Sequence, residues 1–232
     1  MSPSVSIIIP VLNEADRIGD TLAGLQELRG RAVELIVVDG GSHDATGSRA
    51  RGMVDQLLSS PPGRARQMNA GAAAARGEVL LFLHADTRLP PAAPELIQAT
   101  LANRRRQWGR FQVRLSGRHI LFRLIERMMN WRSCLTGMVT GDQAMFVRRP
   151  AFEKAGGFPD IPLMEDIAIS RKLKALSRPA CLPVPVVTSS RRWEQGGILR
   201  TVLLMWSLRL AYFLGVSPRR LAAIYYPSRE RA

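Results

Sequence analysis

The chain has 232 residues and 46% hydrophobic content, enough apolar material for one well-packed α/β domain, residues 1–232, and hardly enough for two. Its 33 lysines and arginines exceed its 19 acidic residues, and the formal charge of +14 favours anionic partners such as nucleotide phosphates, acidic lipid headgroups or nucleic acid.

Cys134 and Cys181 fit no metal-ligand spacing, so we expect reduced core residues of a cytosolic protein. The N-terminus shows no basic leader or cleavage site, and we expect no signal peptide.

The first part of the chain alternates predicted strands and helices. Residues 5–9 are a short β-branched strand, and a helix with Asn13 as its N-cap follows. Residues 34–39 are a second apolar strand, and we expect another helix from about residue 43 to residue 58. This alternation is typical of α/β folds.

The strand at residues 79–83 is the centre of the predicted sheet. It is an unbroken apolar run, which is typical of a parallel strand buried on both faces. The alanines of residues 70–75 precede it, and their lack of bulk predicts a helix that lies very close to the sheet or to a ligand. The run ends at His84 and Asp86, and a helix is expected at about residues 91–106.

Beyond Trp108 the pattern changes. Residues 110–115 alternate polar and apolar side chains, as in a strand with one solvated face, residues 121–132 are amphipathic, and residues 143–147 predict a further strand. We therefore expect an α/β fold with a Rossmann-like mixed sheet flanked by helices. Its predicted parts are a nucleotide-binding half at about 5–106, an acceptor half at about 107–195 and a C-terminal helical tail at about 196–232.

The first group of candidate functional residues lies at predicted strand ends. Asp39 and Asp86 follow two strands, and Arg64 and Arg66 precede the alanine-rich helix. Open α/β sheets bind ligands at the carboxyl ends of their strands, and Mg²⁺ or Mn²⁺ prefers carboxylates together with substrate phosphates. A buried structural aspartate is the alternative for Asp86. The chain has neither a P-loop nor a dinucleotide-binding glycine motif, so both of those classes are excluded.

Two further groups lie later in the chain. Glu165 and Asp166 directly precede a predicted helix, where one carboxylate can stay ionised and act as a general base; ordinary acidic capping is the alternative. Arg191 and Arg192 close a predicted strand and suit a diphosphate, because guanidinium groups bind phosphate in a fork. A solvated basic loop is the alternative there.

Taken together, these motifs resemble those of family 2 glycosyltransferases. The matching segments are Ile7–Glu14, Val38–Thr46, Gly71–Gly77, Leu83–Thr87, Gly156–Phe158 and Glu165–Asp166, in the right order over nearly all of residues 5–176. The resemblance implies the GT-A nucleotide-diphospho-sugar transferase fold. The HADT variant at 84–87, with residues 140–143 and 190–193, resembles a bacterial subgroup of short stand-alone members.

The resemblance implies a role for each matched position. Around the nucleotide it places Pro10, Leu12, Glu14, Asp39, Ser42 and Arg66, with Asp39 bonded to the base. Asp86 corresponds to the last acid of the DxD motif and would bind Mg²⁺ or Mn²⁺. Asp166 would deprotonate the acceptor hydroxyl in a single inverting displacement. Asp142, Glu165 and Trp193 would border the acceptor or the sugar.

His84 departs from the family pattern, because it stands where the first DxD aspartate is usual. The loss of one carboxylate weakens the metal site, or the imidazole replaces it as a ligand or hydrogen-bond donor. In that case Arg191 and Arg192 carry more of the charge of the leaving diphosphate. A plain packing histidine is the alternative.

Residues 198–216 are long and apolar enough to raise the question of whether they span a membrane. Both sides of this predicted helix are apolar, but Arg200 and Arg209 would each cost roughly 2.5–3.5 kcal/mol near the bilayer centre, so spanning is not expected. We expect a helix packed on the domain, with a second face for a membrane surface or a partner subunit, or a simple core helix with solvated arginines. The expected location is cytoplasmic, including the inner face of the membrane, and a homodimer is left open.

The sequence therefore predicts an enzyme that moves a sugar from a nucleotide-diphosphate donor to a small or lipid-like acceptor hydroxyl. One rival is a sugar-1-phosphate nucleotidyltransferase, but residues 10–14 lack the glycine-rich loop and lysine that it needs. The other rival is a basic nucleic-acid-binding protein. The aromatic content of 6% offers no stacking platform, and nucleic acid is not the expected partner.

Overall fold

The fold is built on one mixed sheet in the computed structural model, which describes residues 4–30 and 32–226. The sheet contains eight strands in that part of the chain: β1 (Val5–Val11), β2 (Val33–Asp39), β3 (Gln56–Ser59), β4 (Val79–Phe82), β5 (Thr87–Arg88), β6 (Trp108–Leu115), β7 (Phe146–Arg148) and β8 (Ala180–Thr188). Their order across the sheet is β3-β2-β1-β4-β7-β6-β8-β5.

Strand direction divides the sheet into two parts. Strands β1 to β4 are parallel to one another, whereas β7 is antiparallel to both β4 and β6, β8 is parallel to β6, and β5 is antiparallel to β8. The chain progresses from β1 through β2 to β3 on one side and then returns to place β4 on the other side of β1. Ligands of open α/β sheets bind at such a reversal, beyond the carboxyl ends of the strands.

Ten helices of the described part flank the sheet. They are α1 (Ala15–Ala23), α2 (Thr46–Ala50), α3 (Arg64–Ala74), α4 (Ala93–Ala102), α5 (Ile120–Thr136), α6 (Arg149–Lys154), α7 (Glu165–Leu176), α8 (Arg191–Gly196), α9 (Ile198–Phe213) and α10 (Pro218–Tyr225), with a short 3₁₀ turn at Gly141–Gln143. The predicted α/β class, with a mixed sheet flanked by helices, is confirmed.

Some predicted local features are wrong. The helix expected at 43–58 is the short α2, and the edge strand β3 takes up part of its predicted length. Asn13 is not an N-cap, because α1 begins two residues later and the side chain of Asn13 accepts a hydrogen bond from the backbone of His43 instead. The arginine-rich segment after β8 forms the helix α8 rather than a loop.

The parallel strands β1, β2 and β4 are mostly apolar because both faces of the sheet are buried there. Ile7 and Ile9 of β1 belong to the core on one face, while Ile8 belongs to the core on the other. A third, smaller apolar cluster holds the C-terminal helices against the segment before α7, and it includes Leu163, Ile167, Leu208 and Leu221. The tail is therefore packed on the domain.

Cys134 of α5 and Cys181 of β8 form a disulfide, with their Cα atoms 6.0 Å apart. The prediction of two reduced core cysteines is wrong, and Cys134 is exposed. The two residues are separated by 47 positions and meet because α5 packs beside the sheet. Disulfides are rare in cytosolic proteins, so cysteine usage no longer supports the predicted compartment.

Within the described residues, no helix combines the length and the apolar character needed to cross a bilayer. Helix α9, which raised the question, has 16 residues and includes Arg200 and Arg209. At about 1.5 Å per residue it is shorter than the hydrocarbon core of about 30 Å.

Helix α3 lies so close to the sheet that Gly71 has no room for a side chain. A Cβ at this position would be 2.5 Å from Ile8 Cγ2 and 3.0 Å from Val38 Cγ2, whereas a Cβ at Gly19 of α1 would meet nothing within 4 Å. The predicted close approach of the alanine-rich helix is confirmed.

We predict that Gly71→Ala lowers the free energy of unfolding by about 1–3 kcal/mol, because the buried β-branched neighbours must move. The matched variant Gly19→Ala is expected to be neutral or stabilising by up to about 1 kcal/mol, since alanine is the better helix former. Urea denaturation of both variants measures the difference. Equal stability of the two variants would contradict the close packing of α3.

Candidate functional site

A cleft of about 210 Å³ opens beyond the carboxyl ends of β4 and β8. Titratable and aromatic side chains from widely separated segments line it: Arg64, His84, Asp86, Asp142, Glu165, Asp166, Arg192, Trp193, Arg209 and Tyr225. A second cavity of about 260 Å³ shares Asp86 and Thr188 with the first and is bordered by Arg17 and Asp20. The cleft lies where the strand order predicts a ligand site.

Asp86 is the carboxylate common to both cavities. Its Oδ1 atom lies 3.5 Å from the hydroxyl oxygens of Thr87 and Thr188. Burial raises the pKa of Asp86, the neighbouring carboxylate of Glu14 raises it further, and the guanidinium groups of Arg17 and Arg64 oppose the rise. A bound cation would stabilise the ionised form of this carboxylate.

The ring of His84 is packed against Gly141. Its Nε2 atom is buried without a hydrogen-bond partner, and a Cβ on Gly141 would lie 2.4 Å from it. Burial lowers the pKa of His84 well below its usual value, and the nearby charge of Arg64 adds to this effect. The imidazole is therefore neutral at physiological pH, a form that agrees with both expectations for His84, a packing residue and a ligand.

The cleft offers few side-chain ligands for Mg²⁺ or Mn²⁺. No cluster of three or more His, Cys, Asp or Glu side chains suited to a metal occurs in the part of the chain that the structure describes. These ions commonly bind through one or two carboxylates together with the phosphates of the substrate. Asp86 fits a site of that kind, whereas a site built from protein ligands alone does not fit.

Glu165 and Asp166 begin helix α7 and line the same cleft as Asp86. Asp166 accepts hydrogen bonds from the backbone N–H of Gly141 at 3.0 Å and of Ile167 at 2.7 Å, so it is held in place while part of it faces the cleft. Glu165 is buried, 3.8 Å from Arg64. Burial and the charge of Asp166 raise the pKa of Glu165 to about 7, although Arg64 opposes the rise.

The remaining acceptor-side candidates also line the cleft. Asp142 accepts a hydrogen bond from the Thr140 hydroxyl; burial raises the pKa of Asp142, while that hydrogen bond and the charge of Arg209 oppose the rise. Trp193 is half-buried in the wall. All three residues that the resemblance placed beside the acceptor or sugar, Asp142, Glu165 and Trp193, therefore share one cavity.

The two arginines after β8 differ in their placement. Arg192 lines the cleft, and its guanidinium stacks on the ring of Tyr225 at 3.8 Å from the centroid and donates to the Tyr225 carbonyl at 3.3 Å. Arg191 is exposed and does not line the cleft. Arg192 is therefore positioned to contact a ligand in this cavity, whereas Arg191 is not.

The expected nucleotide residues form a group next to the cleft. Asp39 Oδ1 accepts hydrogen bonds from the Ser42 hydroxyl at 2.6 Å and the Ser42 backbone at 2.9 Å, which fixes the turn after β2. Glu14 pairs with Arg17 at 2.6 Å. Pro10 lines a small adjoining cavity with His84 and Asp166, and the side chain of Leu12 is exposed.

Arg66 is not in the cleft. Its guanidinium forms an exposed ion pair with Asp160 at 2.9 Å, and Arg64, two residues earlier, lines the cleft in its place. Arg209 and Tyr225 are also cleft residues that the sequence analysis did not assign to the site. The sequence feature that could have assigned Arg209 to the site is its position as a charged residue in a mostly apolar helix.

The family model described as Glycosyl transferase family 2 matches residues 6–154, and the chain belongs to this family. Among the relatives, the probable glycosyltransferase YdaM of Bacillus subtilis is 27% identical over an alignment of 194 residues that covers 72% of this chain and 46% of the relative. The uncharacterized protein MT1568 of Mycobacterium tuberculosis is 35% identical over 96 residues, 39% of this chain and 30% of the relative. The chain thus spans less than half of the length of these relatives.

Solved structures share the fold. The mannosyltransferase PcManGT of Pyrobaculum calidifontis, in complex with GDP-Man and Mn²⁺, has a TM-score of 0.66 at 22% identity and covers 91% of this chain and 61% of its own. TarS 1-349 of S. aureus, in complex with UDP, has a TM-score of 0.64 at 18% identity and covers 82% and 60%. The predicted GT-A fold is confirmed.

We predict that Glu165→Gln changes how stability depends on pH. Because the pKa of Glu165 is raised in the folded state, its contribution to stability is complete below pH 4.5 and is lost as pH rises through about 7. The variant lacks this loss, so its stability relative to wild type should increase by about 2 kcal/mol between pH 5 and pH 8.

Urea denaturation at the two pH values measures this change. The exposed Glu153→Gln serves as the control, and its difference from wild type should not vary with pH. Parallel pH dependence of wild type and Glu165→Gln would show that Glu165 is not buried beside Asp166 in solution.

Proposed function

We propose that the protein transfers a sugar from a nucleotide-diphosphate sugar to an acceptor hydroxyl. The observation that carries the proposal is that Asp86, Asp166, Arg64 and Arg192 meet in one cleft, at the strand-order reversal of a family 2 chain. Structures of similar fold include complexes with GDP-Man and with UDP, which supports a nucleotide-sugar donor.

The nucleoside part of the donor would lie against the turns after β1 and β2. Asp39, already held by Ser42, would accept a hydrogen bond from the base, and Pro10, Leu12 and Glu14 would border the nucleotide. Arg64 replaces Arg66 in the proposal, because Arg64 lines the cleft. Arg64 and Arg192 then face the diphosphate and stabilise its charge as it leaves.

Asp86 would hold Mg²⁺ or Mn²⁺ jointly with the diphosphate, since it is the carboxylate shared by the two cavities. When bound, such an ion supplies Lewis-acid stabilisation of the leaving group. Complexes of PcManGT with Mn²⁺, and of glucosyl-3-phosphoglycerate synthase with Mn²⁺ or Mg²⁺ and UDP, support this assignment. His84 packs beside Asp86 as a neutral ring and is not proposed as a ligand.

Asp166 is the proposed base. It would take the proton of the acceptor hydroxyl while that oxygen bonds to the anomeric carbon and the bond from this carbon to the diphosphate breaks, a single displacement with inversion. The backbone of Gly141 fixes the carboxylate for this step. Asp142, Glu165 and Trp193 would border the acceptor, a small or lipid-like molecule.

The disulfide removes the support of cysteine usage for the predicted cytoplasmic location, so the proposal is restricted to a contact of α9 with a membrane surface, for which the inner face was predicted. Arg209 of α9 lines the cleft, whereas Leu203 and Trp206 on the same helix are exposed. This arrangement supports a peripheral contact that leaves the cleft next to the surface.

We predict that Asp166→Asn slows hydrolysis of the donor by a factor of about 10²–10⁴, with water in the place of the acceptor, because the base is lost. The assay follows release of nucleoside diphosphate from UDP- and GDP-sugars with Mn²⁺. Asp160→Asn, which alters an exposed carboxylate outside the cleft, is the control. Full activity of Asp166→Asn together with loss of activity in Asp142→Asn would contradict the assignment of Asp166 as the base.

A further inference from the structure

The exposed large apolar side chains are concentrated in two segments of the chain. The described residues contain thirteen of them, and twelve lie between residues 120 and 224. Five are on α5: Ile120, Leu124, Met128, Trp131 and Leu135. Five are on α9: Leu199, Leu203, Trp206, Leu210 and Phe213. Leu214 and Ile224 follow α9, and Leu12 is the single one elsewhere.

Each set forms a stripe along one face of its helix. The spacing of three and four residues places successive members on the same side. The side chain of Trp131 is 70% exposed and that of Trp206 is 53% exposed, so neither is a core residue with only its edge at the surface. Other residues of the same helices face the core, among them Phe122 of α5 and Leu208 of α9. The stripes are therefore apolar surface in addition to the core-facing sides.

The C-terminal end of α5 lies near α9, because Met138, two residues beyond α5, packs against the apolar cluster that contains Leu208 of α9. Burial, together with the charge of Arg209 of α9, lowers the pKa of Arg132 of α5 to about 10. Arg209 also lines the cleft. The two stripes thus belong to helices that are neighbours at the end of α5, and α9 also contributes to the cleft.

The surroundings of the stripes are positively charged. Residues 197–226 contain no acidic residue, and residues 109–136 contain one, Glu126, which is buried and paired with Arg123 at 3.0 Å. Six exposed arginines lie in the same two segments: Arg114, Arg118, Arg127, Arg200, Arg219 and Arg220. One exposed carboxylate, Glu194 of α8, lies beside Gly117 at the edge of this region. An apolar surface bordered mainly by cations complements a layer of hydrocarbon beneath negative headgroups.

We propose that α5 and α9 together form a docking surface for an anionic lipid bilayer. The stripes enter the boundary between headgroups and acyl chains, Trp131 and Trp206 lie at the headgroup level, and the arginines contact lipid phosphates. This extends the expected contact of the C-terminal helix to a second helix. A second copy of the chain is the less suitable occupant, because a two-fold contact would place the arginine-rich border against itself.

The test uses the full chain and vesicles of phosphatidylcholine, alone or with about 30% phosphatidylglycerol, in a co-sedimentation assay. Binding to the anionic vesicles should be at least about tenfold tighter than to the neutral ones and should weaken with added salt. Tryptophan emission should shift to shorter wavelength on binding, because the two stripe tryptophans leave water. Equal binding to both kinds of vesicle, or to neither, would overturn the proposal.

Single substitutions separate the two helices. Trp131→Glu on α5 and Leu203→Glu on α9 should each weaken binding by about tenfold, because each puts a charge into the apolar boundary. Leu12→Glu is the control, since Leu12 is the exposed large apolar residue that lies outside residues 120–224 in the described part of the chain. Far-ultraviolet circular dichroism checks that the variants are folded. An unaffected Trp131→Glu variant would remove α5 from the surface and contradict the proposal.

The role of the arginines near the stripes is tested with two double variants that change the net charge of the protein by the same amount. The pair Arg118→Gln and Arg200→Gln should reduce binding more strongly than the pair Arg51→Gln and Arg104→Gln, which are exposed elsewhere. Equal reduction by both pairs would mean that only the total charge matters. Sedimentation equilibrium that finds a dimer, broken by Trp131→Glu, in a protein that does not bind vesicles would assign the surface to a second copy.

Discussion

Gly141 is the residue at which the two halves of the candidate site meet. Its backbone N–H donates a hydrogen bond to Asp166 at the start of α7, and its lack of a side chain leaves room for the ring of His84. Because a methyl group there would lie 2.4 Å from His84 Nε2, any other residue at this position would force the ring of His84 to shift. Gly141 therefore contacts both the strand end that carries the proposed metal carboxylate and the proposed base.

The C-terminal helices complete the cleft that this contact opens. Helix α9 contributes Arg209, and Tyr225 of α10 holds the guanidinium of Arg192 in the wall. These helices are fixed by the small apolar cluster around Leu208, and the opposite face of α9 remains exposed. Whatever covers that face contacts an element of the site itself, so docking and the geometry of the cleft are physically linked.

The sequence predicted the parallel strands and the carboxylates at their ends, because an apolar run followed by a polar turn depends on local order alone. It did not separate Arg64 from Arg66, since residues two apart lie on different sides of a helix and the phase of α3 is set by its packing. The disulfide between Cys134 and Cys181 likewise depends on how distant segments pack. Which helix faces stay exposed also follows from tertiary packing, so the stripe on α5 could not be separated from a core face.

Titration calorimetry with UDP and GDP, with and without Mn²⁺, tests most directly whether the cleft around Asp86 binds a nucleotide diphosphate. Wild type should bind one of the two nucleotides in the presence of the metal, and Asp86→Ala should weaken this binding by at least about tenfold, because a charge-assisted contact is lost. The exposed Asp16→Ala should bind as wild type does. Nucleotide binding that depends neither on the metal nor on Asp86 would contradict the proposed site, and so would a lack of binding of both nucleotides.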